Sequence, residues 1–278
     1  MELNLLSAEQ VETLERLIAS AEHILITTHS RPDGDALGSS LGWAQYLREH
    51  YGKEPTVVVP NGYPDFLRWL PTSERIIRYD KHPEEVQQLF DKAQLVFCID
   101  YNGLNRVDAM EETLTNCTAP RVMFDHHLDP NLPAEVSVSH ADLSSASEVV
   151  FRVVWQLGGF EELTKKFAVH IYCGMMTDTG GFTFNSTRPE IYFIICQLLT
   201  KRIDKDKIYR NVYNNYSQWA IRLRGHLMSQ KLNVFDDLHA SYFTLTRQNI
   251  RDFHYVRGDA EGLVNVPLRI KGMKVSIS

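Results

Sequence analysis

Long apolar runs, paired cysteines and a basic leader are all missing from this 278-residue sequence. No apolar stretch approaches the roughly 20 residues that a membrane-spanning helix requires, which argues against a membrane protein. Residues 1–10 are acidic and amphipathic, with no basic region or cleavage site, so we expect no signal peptide. No CxxC pair occurs among the four cysteines, Cys98, Cys117, Cys173 and Cys196, and three of them lie in apolar runs. These absences predict a cytoplasmic protein without disulfides.

Positive charge is scarce in the first part of the chain and abundant in the last. Residues 1–200 carry 15 Lys and Arg against 28 Asp and Glu, whereas residues 201–278 carry 14 against 7. Acidic residues around a cation and a basic distal segment would suit a phosphate-bearing substrate. Two solvated surfaces of a two-domain protein explain the same split equally well.

Strand-like and helix-like segments alternate along most of the chain. Short apolar runs at residues 24–28, 56–59, 95–99 and 121–124, and an alternating run at 135–139, are typical of strands. Helices are predicted at residues 8–21, 39–50, 83–92, 107–115, 146–157, 163–177 and 190–200, with one or two more over 205–231. This alternation predicts an α/β fold with a mainly parallel sheet and flanking helices.

A change of pattern near the end predicts a second domain. A β-rich segment begins near Asn233, and residues 242–246 are its clearest strand. We therefore expect a larger domain over residues 1–195, a helical linker over 196–230 and a smaller α/β domain over 231–278.

Histidine and aspartate stand at four places where a predicted strand or helix ends. Parallel sheets bind ligands at the carboxyl ends of their strands, so side chains from several such ends should meet. The sequence therefore predicts one metal cluster, and a metal cluster indicates hydrolysis. The six side chains that can supply it are His29, Asp33, Asp35, Asp100, His126 and Asp178.

Two of these places have strong local patterns. In an extended loop, residues two apart such as Asp33 and Asp35 can point to the same side, and a helix should open only at Gly38. An ordinary polar turn would also explain this Asp-Gly-Asp segment. His126 and His127 follow a buried strand, where imidazoles need partners, although a surface pair of histidines is the alternative.

The Asp178 position has a different argument. Asp178 closes a predicted helix, where the helix dipole disfavours negative charge by about 0.3–1 kcal/mol. A cation would offset that cost. A polar helix exit before Gly180 and Gly181 is the simpler alternative.

The donor set indicates the kind of metal. Mostly oxygen ligands with two imidazoles favour Mn²⁺ or a related octahedral ion, with Mg²⁺ or Co²⁺ as alternatives, over structural zinc. Six ligands suit two divalent cations that share a bridging carboxylate. Such a pair can activate water and stabilise both oxygens of an in-line phosphoryl displacement.

These residues resemble the DHH phosphoesterase superfamily, which is named for the triplet found here as Asp125-His126-His127. The pattern His29-x-x-x-Asp33-x-Asp35, then Asp100, the triplet and Asp178, matches the family in order over residues 20–200. The surroundings are similar to the branch of bifunctional oligoribonucleases and pAp phosphatases.

The resemblance implies a division of the site between two metals. His29, Asp33 and Asp100 would hold one ion, and Asp100 would also bridge to the second. The second ion's ligands would be Asp35, Asp100, His126 and Asp178. His127 would hydrogen-bond the scissile phosphate or donate toward the leaving oxygen, and Asp125 would orient a neighbouring imidazole.

The resemblance also implies a substrate-binding second domain of the DHHA1 type. Residues 258–265 resemble the start of that module, but its Gly-Gly-Gly-His loop is absent from this sequence. Residues 274–278 resemble a strand inside the module, so we expect an incomplete second domain. Candidate phosphate contacts, with plain surface charge as the alternative, are Arg247, Arg257, Arg269 and Lys271.

The predicted function is Mn²⁺-dependent hydrolysis of short nucleotides. Substrates would be short oligoribonucleotides, linear dinucleotides or 3′-phosphoadenosine 5′-phosphate. An inorganic pyrophosphatase or exopolyphosphatase shares the same motifs and is the alternative within hydrolases. A metal-dependent nucleotide sensor without turnover is the alternative outside them. A homodimer is one assembly that the sequence allows.

Overall fold

The structure, a computed structural model, describes residues 2–278. The chain forms two compact units. The larger unit runs to Tyr63 and resumes over Leu67–Tyr209, and the smaller unit comprises Pro64–Phe66 and Arg210–Ser278. The division at Tyr209 falls within the helical region that separates the two predicted domains.

Parallel strands form a six-stranded sheet in the larger unit. The strands are β1 (Ile24–Thr27), β2 (Thr56–Val59), β3 (Ile77–Arg78), β4 (Leu95–Ile99), β5 (Arg121–Asp125) and β6 (Val136–Ser139). Their spatial order is β3-β2-β1-β4-β5-β6, and each neighbouring pair is parallel. The predicted α/β fold is therefore confirmed. The order reverses between β1 and β4, where the carboxyl ends of the strands open a crevice.

Helices cover the sheet and exclude water from its centre. The helices of this unit are α1 (Ala8–Ser20), α2 (Gly34–Tyr51), α3 (Pro83–Lys92), α4 (Glu111–Asn116), α5 (Ala146–Leu157), α6 (Lys165–Asp178) and α7 (Pro189–Thr200), and the next helix, α8 (Lys205–Tyr213), contains the division between the units. Every residue of β1 and β4 is buried, as parallel sheets covered on both faces require. Trp43 of α2 fills part of this core against Phe97 and Phe124.

Glycines allow α2 and α6 to approach closely. A Cβ atom on Gly38 would lie 2.6 Å from the carbonyl oxygen of His170 and 2.9 Å from the backbone of Gly174. A Cβ atom on Gly34 would collide with Thr177 in the same way. The start of α2 therefore lies beside the end of α6, which brings Asp35 and Asp178 to the same edge of the sheet.

Three sequence predictions about element boundaries were wrong. α2 begins at Gly34 and not near Ser39, because the Asp33 side chain caps it by accepting hydrogen bonds from the backbone of Asp35 and Ala36. The segment predicted as one helix over 107–115 is a 3₁₀ turn, Leu104–Met110, followed by α4. The strand predicted over 242–246 lies at Ala240–Tyr242, because Thr246 caps the next helix.

The smaller unit is a mixed α/β arrangement. Its elements are α9 (Gln218–His226), a π-helical turn (Leu227–Lys231), β7 (Asn233–Phe235), β8 (Ala240–Tyr242), α10 (Arg247–Asp252) and β9 (Val275–Ile277). β8 pairs antiparallel with β7 and parallel with β9. Its core contains Leu223, Leu227, Phe243 and Leu263.

Among residues 2–278, no helix combines the length and apolarity needed to cross a bilayer.

Candidate metal centre

The six predicted ligand side chains converge at the carboxyl edge of the large sheet. Three overlapping groups have ligand atoms within 4.8 Å of one another. The His29 group consists of His29, Asp33 and Asp100, and the Asp35 group consists of Asp35, His126 and Asp178. A third group joins Asp100 and His126 to His127. Side chains from segments far apart in the sequence thus form one site.

Asp100 belongs to the His29 group and also lies next to His126 of the Asp35 group. One carboxylate oxygen is 3.4 Å from His29 Nε2, and the other is 3.5 Å from His126 Nε2. The residue directly follows β4, is 2% exposed, and adopts a left-handed backbone with φ 67°. Asp and Asn are among the few residues besides glycine that tolerate this conformation. Asp100 can therefore face both groups at once.

The ring of His29 is oriented by its own loop. Nδ1 lies 2.9 Å from the Ser30 carbonyl oxygen, which can only accept, so Nδ1 donates. Nε2 then points toward Asp100 and toward Asp33, whose carboxylate oxygen is 3.9 Å away. This arrangement fixes the tautomer that leaves the Nε2 lone pair for a metal ion.

Asp33 and Asp35 are held differently, although they are two residues apart. One oxygen of Asp33 caps α2, and 49% of its side chain is exposed. Asp35 lies in the first turn of α2 and is 1% exposed. Its two oxygens accept hydrogen bonds from the backbone of Ala146 (2.6 Å) and Ser147 (2.9 Å), at the start of α5.

His126 and Asp178 complete the second group. His126 Nε2 lies 3.6 Å from an oxygen of Asp178 and 3.8 Å from an oxygen of Asp35. Asp178 is the last residue of α6, as predicted, where the helix dipole disfavours its charge. A cation beside Asp178 would offset that cost.

His127 belongs to the cluster, but its ring is hydrogen-bonded to Asp125. Asp125 is fully buried, and one of its oxygens lies 2.8 Å from His127 Nδ1, while the other accepts from the His127 backbone at 3.0 Å. The His127 atom nearest to Asp100 is this same Nδ1, 3.8 Å away. Since Asp125 occupies Nδ1, the free nitrogen of His127 is Nε2.

The pKa values of the buried carboxyl groups in the cluster are shifted in opposite directions. Burial raises the pKa of Asp178 to about 6, and the charge of Asp100 adds to this rise. Burial also raises the pKa of Asp35 well above its usual range, with further repulsion from Asp100 and Asp178. The pKa of Asp100 is lowered instead, since its contacts with His126 and His29 outweigh burial.

The imidazoles respond to the same carboxylates. Burial lowers the pKa of His29, but Asp100 and Asp33 outweigh burial and the net pKa is about 9. For His126 the charges of Asp100, Asp35 and Asp178 again outweigh burial, and the pKa rises to about 10. Four carboxylates packed this closely therefore stabilise positive charge in the cluster.

The residues present fit a divalent cation. Oδ1 of Asp100 is buried and has no hydrogen-bond partner among the described residues, an arrangement that a metal ligand bond would satisfy. The donor atoms are carboxylate oxygens and imidazole nitrogens, which suit Mn²⁺ and related ions.

The four predicted substrate contacts are distant from these groups in the sequence. They belong to the smaller unit. All four side chains are exposed, and they are spread over α10, a loop and a 3₁₀ turn: Arg247, Arg257, Arg269 and Lys271. Their contact with phosphate stays a prediction.

Two arginines beside the His29 group were missed by the sequence reasoning. Arg31 and Arg106 are exposed, and neither guanidinium makes an ion pair within residues 2–278. The Ser30 backbone N–H donates to the Arg106 carbonyl oxygen at 2.7 Å, which joins their loops. The position of Arg31 inside the His29–Asp35 motif was the available signal.

Comparisons with known proteins agree with this site. Residues 23–175 match the model of the DHH family, N-terminal domain. The bifunctional oligoribonuclease and PAP phosphatase NrnA of Thermus thermophilus is 34% identical over 270 residues, which cover 91% of this chain and 75% of that protein. The NrnA of Bacillus subtilis is 25% identical over 94% of this chain and 78% of its own length.

A solved structure is similar over nearly the whole chain. It is the crystal structure of an exopolyphosphatase-related protein from Bacteroides fragilis, with 43% identity and a TM-score of 0.92. The match covers 96% of this chain and 78% of that one. On the family match and these relatives, the chain belongs to the DHH family and is a phosphoesterase, a hydrolase of that family.

Proposed function

We propose that this protein hydrolyses phosphoester bonds in short nucleotides with the help of two divalent cations, Mn²⁺ being favoured. The substrate class comprises short oligoribonucleotides, linear dinucleotides and 3′-phosphoadenosine 5′-phosphate. The observation that carries the proposal is Asp100, whose two oxygens face the His29 group and the Asp35 group separately. Relatives named as oligoribonucleases and PAP phosphatases support the nucleotide class.

Each group would hold one ion. The first would be bound by the His29 group, and the second by the Asp35 group together with Asp100. Two divalent cations, when bound, lower the pKa of water and neutralise charge that develops on phosphoryl oxygens.

His127 and Asp125 supply chemistry of their own. Asp125 holds Nδ1 of His127, so Nε2 faces away from that carboxylate. In our proposal the ring carries a proton on each nitrogen, and Nε2 either donates a hydrogen bond to the scissile phosphate or passes its proton to the leaving oxygen, which leaves the ring neutral. The side chain of His127 is 33% exposed, which leaves room for such contact.

Arg31 and Arg106 support a substrate with more than one phosphate. Their guanidiniums are free of ion pairs within the described chain and stand in a unit rich in acidic residues. Guanidinium groups bind phosphate oxygens in bidentate fashion. Phosphorylated dinucleotides and 3′-phosphoadenosine 5′-phosphate both carry a second phosphate that could be bound here.

Hydrolysis of pyrophosphate or polyphosphate is the second candidate. The similar structure from Bacteroides fragilis is described as exopolyphosphatase-related, and two free arginines suit a polyanion as well. The two candidates differ in whether the substrate carries a nucleobase.

A substrate panel tests the proposal. Hydrolysis of a 5′-phosphorylated diadenylate, 3′-phosphoadenosine 5′-phosphate and pyrophosphate would be measured in Mn²⁺, each with an EDTA control. Metal-dependent release of mononucleotide is the expected result. Turnover of pyrophosphate alone would contradict the nucleotide proposal, and tight dinucleotide binding without any product would favour a sensor.

Three further predictions from the sequence belong to the same proposal. The smaller unit would act as a DHHA1-type substrate-binding domain. The protein would work in the cytoplasm, where its free thiols stay reduced. A homodimer would be its assembly, which light scattering would test.

A further inference from the structure

An exposed aromatic ring follows the metal-ligand candidate Asp178 in the chain and has no role in the proposed function. Phe184 lies in the loop of residues 179–188, which directly follows Asp178. Its side chain is 55% exposed. Single exposed apolar side chains are common on protein surfaces, so the significance of this ring depends on how it is held and on its place after Asp178.

Hydrogen bonds hold the 179–188 loop in one shape. The Gly181 backbone N–H donates to the Met176 carbonyl at 2.7 Å, and that of Thr183 donates to the Thr179 carbonyl at 2.9 Å. At the far end, the Arg188 guanidinium binds both oxygens of the buried Glu148, at 2.9 and 3.0 Å. The loop is therefore anchored at both ends.

The ring itself is seated on backbone. A Cβ atom on Gly180 would lie 2.2 Å from a ring carbon of Phe184, so the ring rests directly against Gly180. Gly180 is two residues from Asp178, a distance of at most about 7 Å between Cα atoms. The ring is thus fixed within reach of a substrate whose phosphate lies at the cluster.

One residue of the loop has a costly backbone conformation. Phe182 has φ 64°, in the left-handed region that bulky side chains rarely adopt, whereas Asn185 (φ 46°), Gly180 and Gly181 tolerate positive φ. Strained non-glycine residues persist where the surrounding structure fixes them, commonly at ligand sites. Phe182 packs inward against Tyr172, whereas Phe184 two residues later faces outward.

We propose that Phe184 is a specificity residue that stacks on a nucleobase of the substrate. This inference rests on the proposed nucleotide function and narrows it to phosphoesters that carry a base. Leu128, which follows His127 and is 72% exposed, offers a second apolar surface next to the cluster. Aromatic rings bind bases of any sequence by stacking, which suits a site for short nucleotides of mixed composition.

Stacking on Phe184 would affect the hydrolysis of nucleotides but not that of pyrophosphate or polyphosphate. Pyrophosphate has no base, so its hydrolysis gains nothing from Phe184. A dinucleotide gains affinity and orientation, and loss of one stacked base typically lowers kcat/KM by roughly 5- to 100-fold.

The test combines a change in the protein with a change in the substrate. Phe184→Leu keeps an apolar side chain but removes the aromatic ring, and Phe184→Trp keeps the ring. The matched control is Tyr192→Leu, since Tyr192 on α7 is equally exposed at 54%. Each variant would be given a 5′-phosphorylated diadenylate and the same molecule without its bases. Thermal unfolding and calorimetric Mn²⁺ titration would check the fold and the cluster.

The expected result is a roughly 5- to 100-fold lower kcat/KM for Phe184→Leu on diadenylate and an unchanged value on the base-free compound. Phe184→Trp and Tyr192→Leu should behave like the wild type. An equal loss on both compounds, or no loss on either, would overturn the proposal.

A binding measurement decides the question even when nucleotides are not hydrolysed. The fluorescence of the Phe184→Trp variant should fall on addition of AMP with Mn²⁺, compared with that of the wild type, and should not respond to ribose 5-phosphate. Such quenching without turnover would support the base contact and contradict the proposed reaction. Equal responses to AMP and ribose 5-phosphate would refute the stacking role.

Discussion

The two ligand groups around Asp100 are prepared for metal binding to different degrees. The side chain of Asp33 in the His29 group is half exposed, and one of its oxygens caps α2. Asp35 in the second group is buried, with backbone N–H groups of α5 fixing both oxygens. Preorganised ligands lose less freedom on binding. We therefore expect the Asp35 group to bind its ion more tightly, and the His29 group to exchange its ion more readily.

Removing the shared ligand should have the largest effect. Asp100→Asn leaves the shape of the side chain but takes the charge from both groups. We expect loss of both ions by calorimetry and a fall in kcat of at least about 10³-fold. The exposed Asp129 offers the control, because Asp129→Asn changes a carboxylate close to the triplet in sequence but outside the groups. Normal metal content in Asp100→Asn would disprove the bridging assignment.

Substituting one group at a time should separate the two ions. Asp33→Asn should abolish the weaker step of a Mn²⁺ titration and leave stability nearly unchanged, since asparagine also caps helices well. Asp35→Asn should abolish the tighter step. Its two effects on the free energy of unfolding oppose each other: the NH₂ group of asparagine would face a backbone N–H of α5, whereas loss of the charge relieves the burial and repulsion that raise the pKa of Asp35. If both variants lose the same step, the two groups are not separate sites.

Disturbing the support of Asp35 should have a smaller effect confined to that group. A Cβ atom on Gly174 would lie 1.9 Å from Ser147 Oγ and 2.9 Å from an oxygen of Asp35. Gly174→Ala should weaken the tighter Mn²⁺ step by about 10- to 100-fold and leave the weaker step intact. Gly225→Ala is the control, because that glycine lies in α9 with open space around it. Equal weakening of both steps would show that the two groups are mechanically coupled.

A buried histidine that has no carboxylate beside it shows the opposite pKa shift to His29 and His126. His170 is fully buried, and neither ring nitrogen has a partner among the described residues. Burial, aided by Arg48 and Lys166, lowers the pKa of His170 to about 3. The unfolded chain therefore binds the proton more readily. The stability from the neutral ring is complete above about pH 6.5 and is lost as the pH falls toward 3.

The size of this effect can be measured by urea unfolding. Between pH 7 and pH 5 the wild type should lose about 2 kcal/mol more unfolding free energy than His170→Leu does. Comparing the two proteins cancels the titration of the metal-ligand cluster, which both contain. An identical pH dependence would mean that His170 is hydrated or paired in solution.

Local patterns in the sequence predicted five of the six strands of the large sheet and the candidate ligands, but missed the two-residue strand β3 and the contacts that surround the ligands. Asp100 and the Asp125-His126-His127 triplet close apolar strand runs, and that short-range signal sufficed. The capping role of Asp33 was available from its position before a helix but was overlooked. The contacts of Asp35 with Ala146 and Ser147 join residues 111 and 112 positions apart, so no local pattern could reveal them.

The exposed ring of Phe184 shows the same limit from another side. Its neighbours in sequence resemble an ordinary strand or turn, and only the fold shows that the ring is seated on Gly180 and faces water. Burial and exposure at loop positions depend on tertiary packing, which composition does not encode.

The left-handed backbone of Asp100 restricts how position 100 can change during evolution. Glycine, asparagine and aspartate tolerate this conformation with little strain, and of these only aspartate brings a negative charge. A glutamate would keep the charge but strain the chain, and an asparagine would keep the chain but lose the ion. The backbone conformation and the charge requirement are therefore both met by aspartate alone, so any substitution at position 100 impairs either the fold or metal binding.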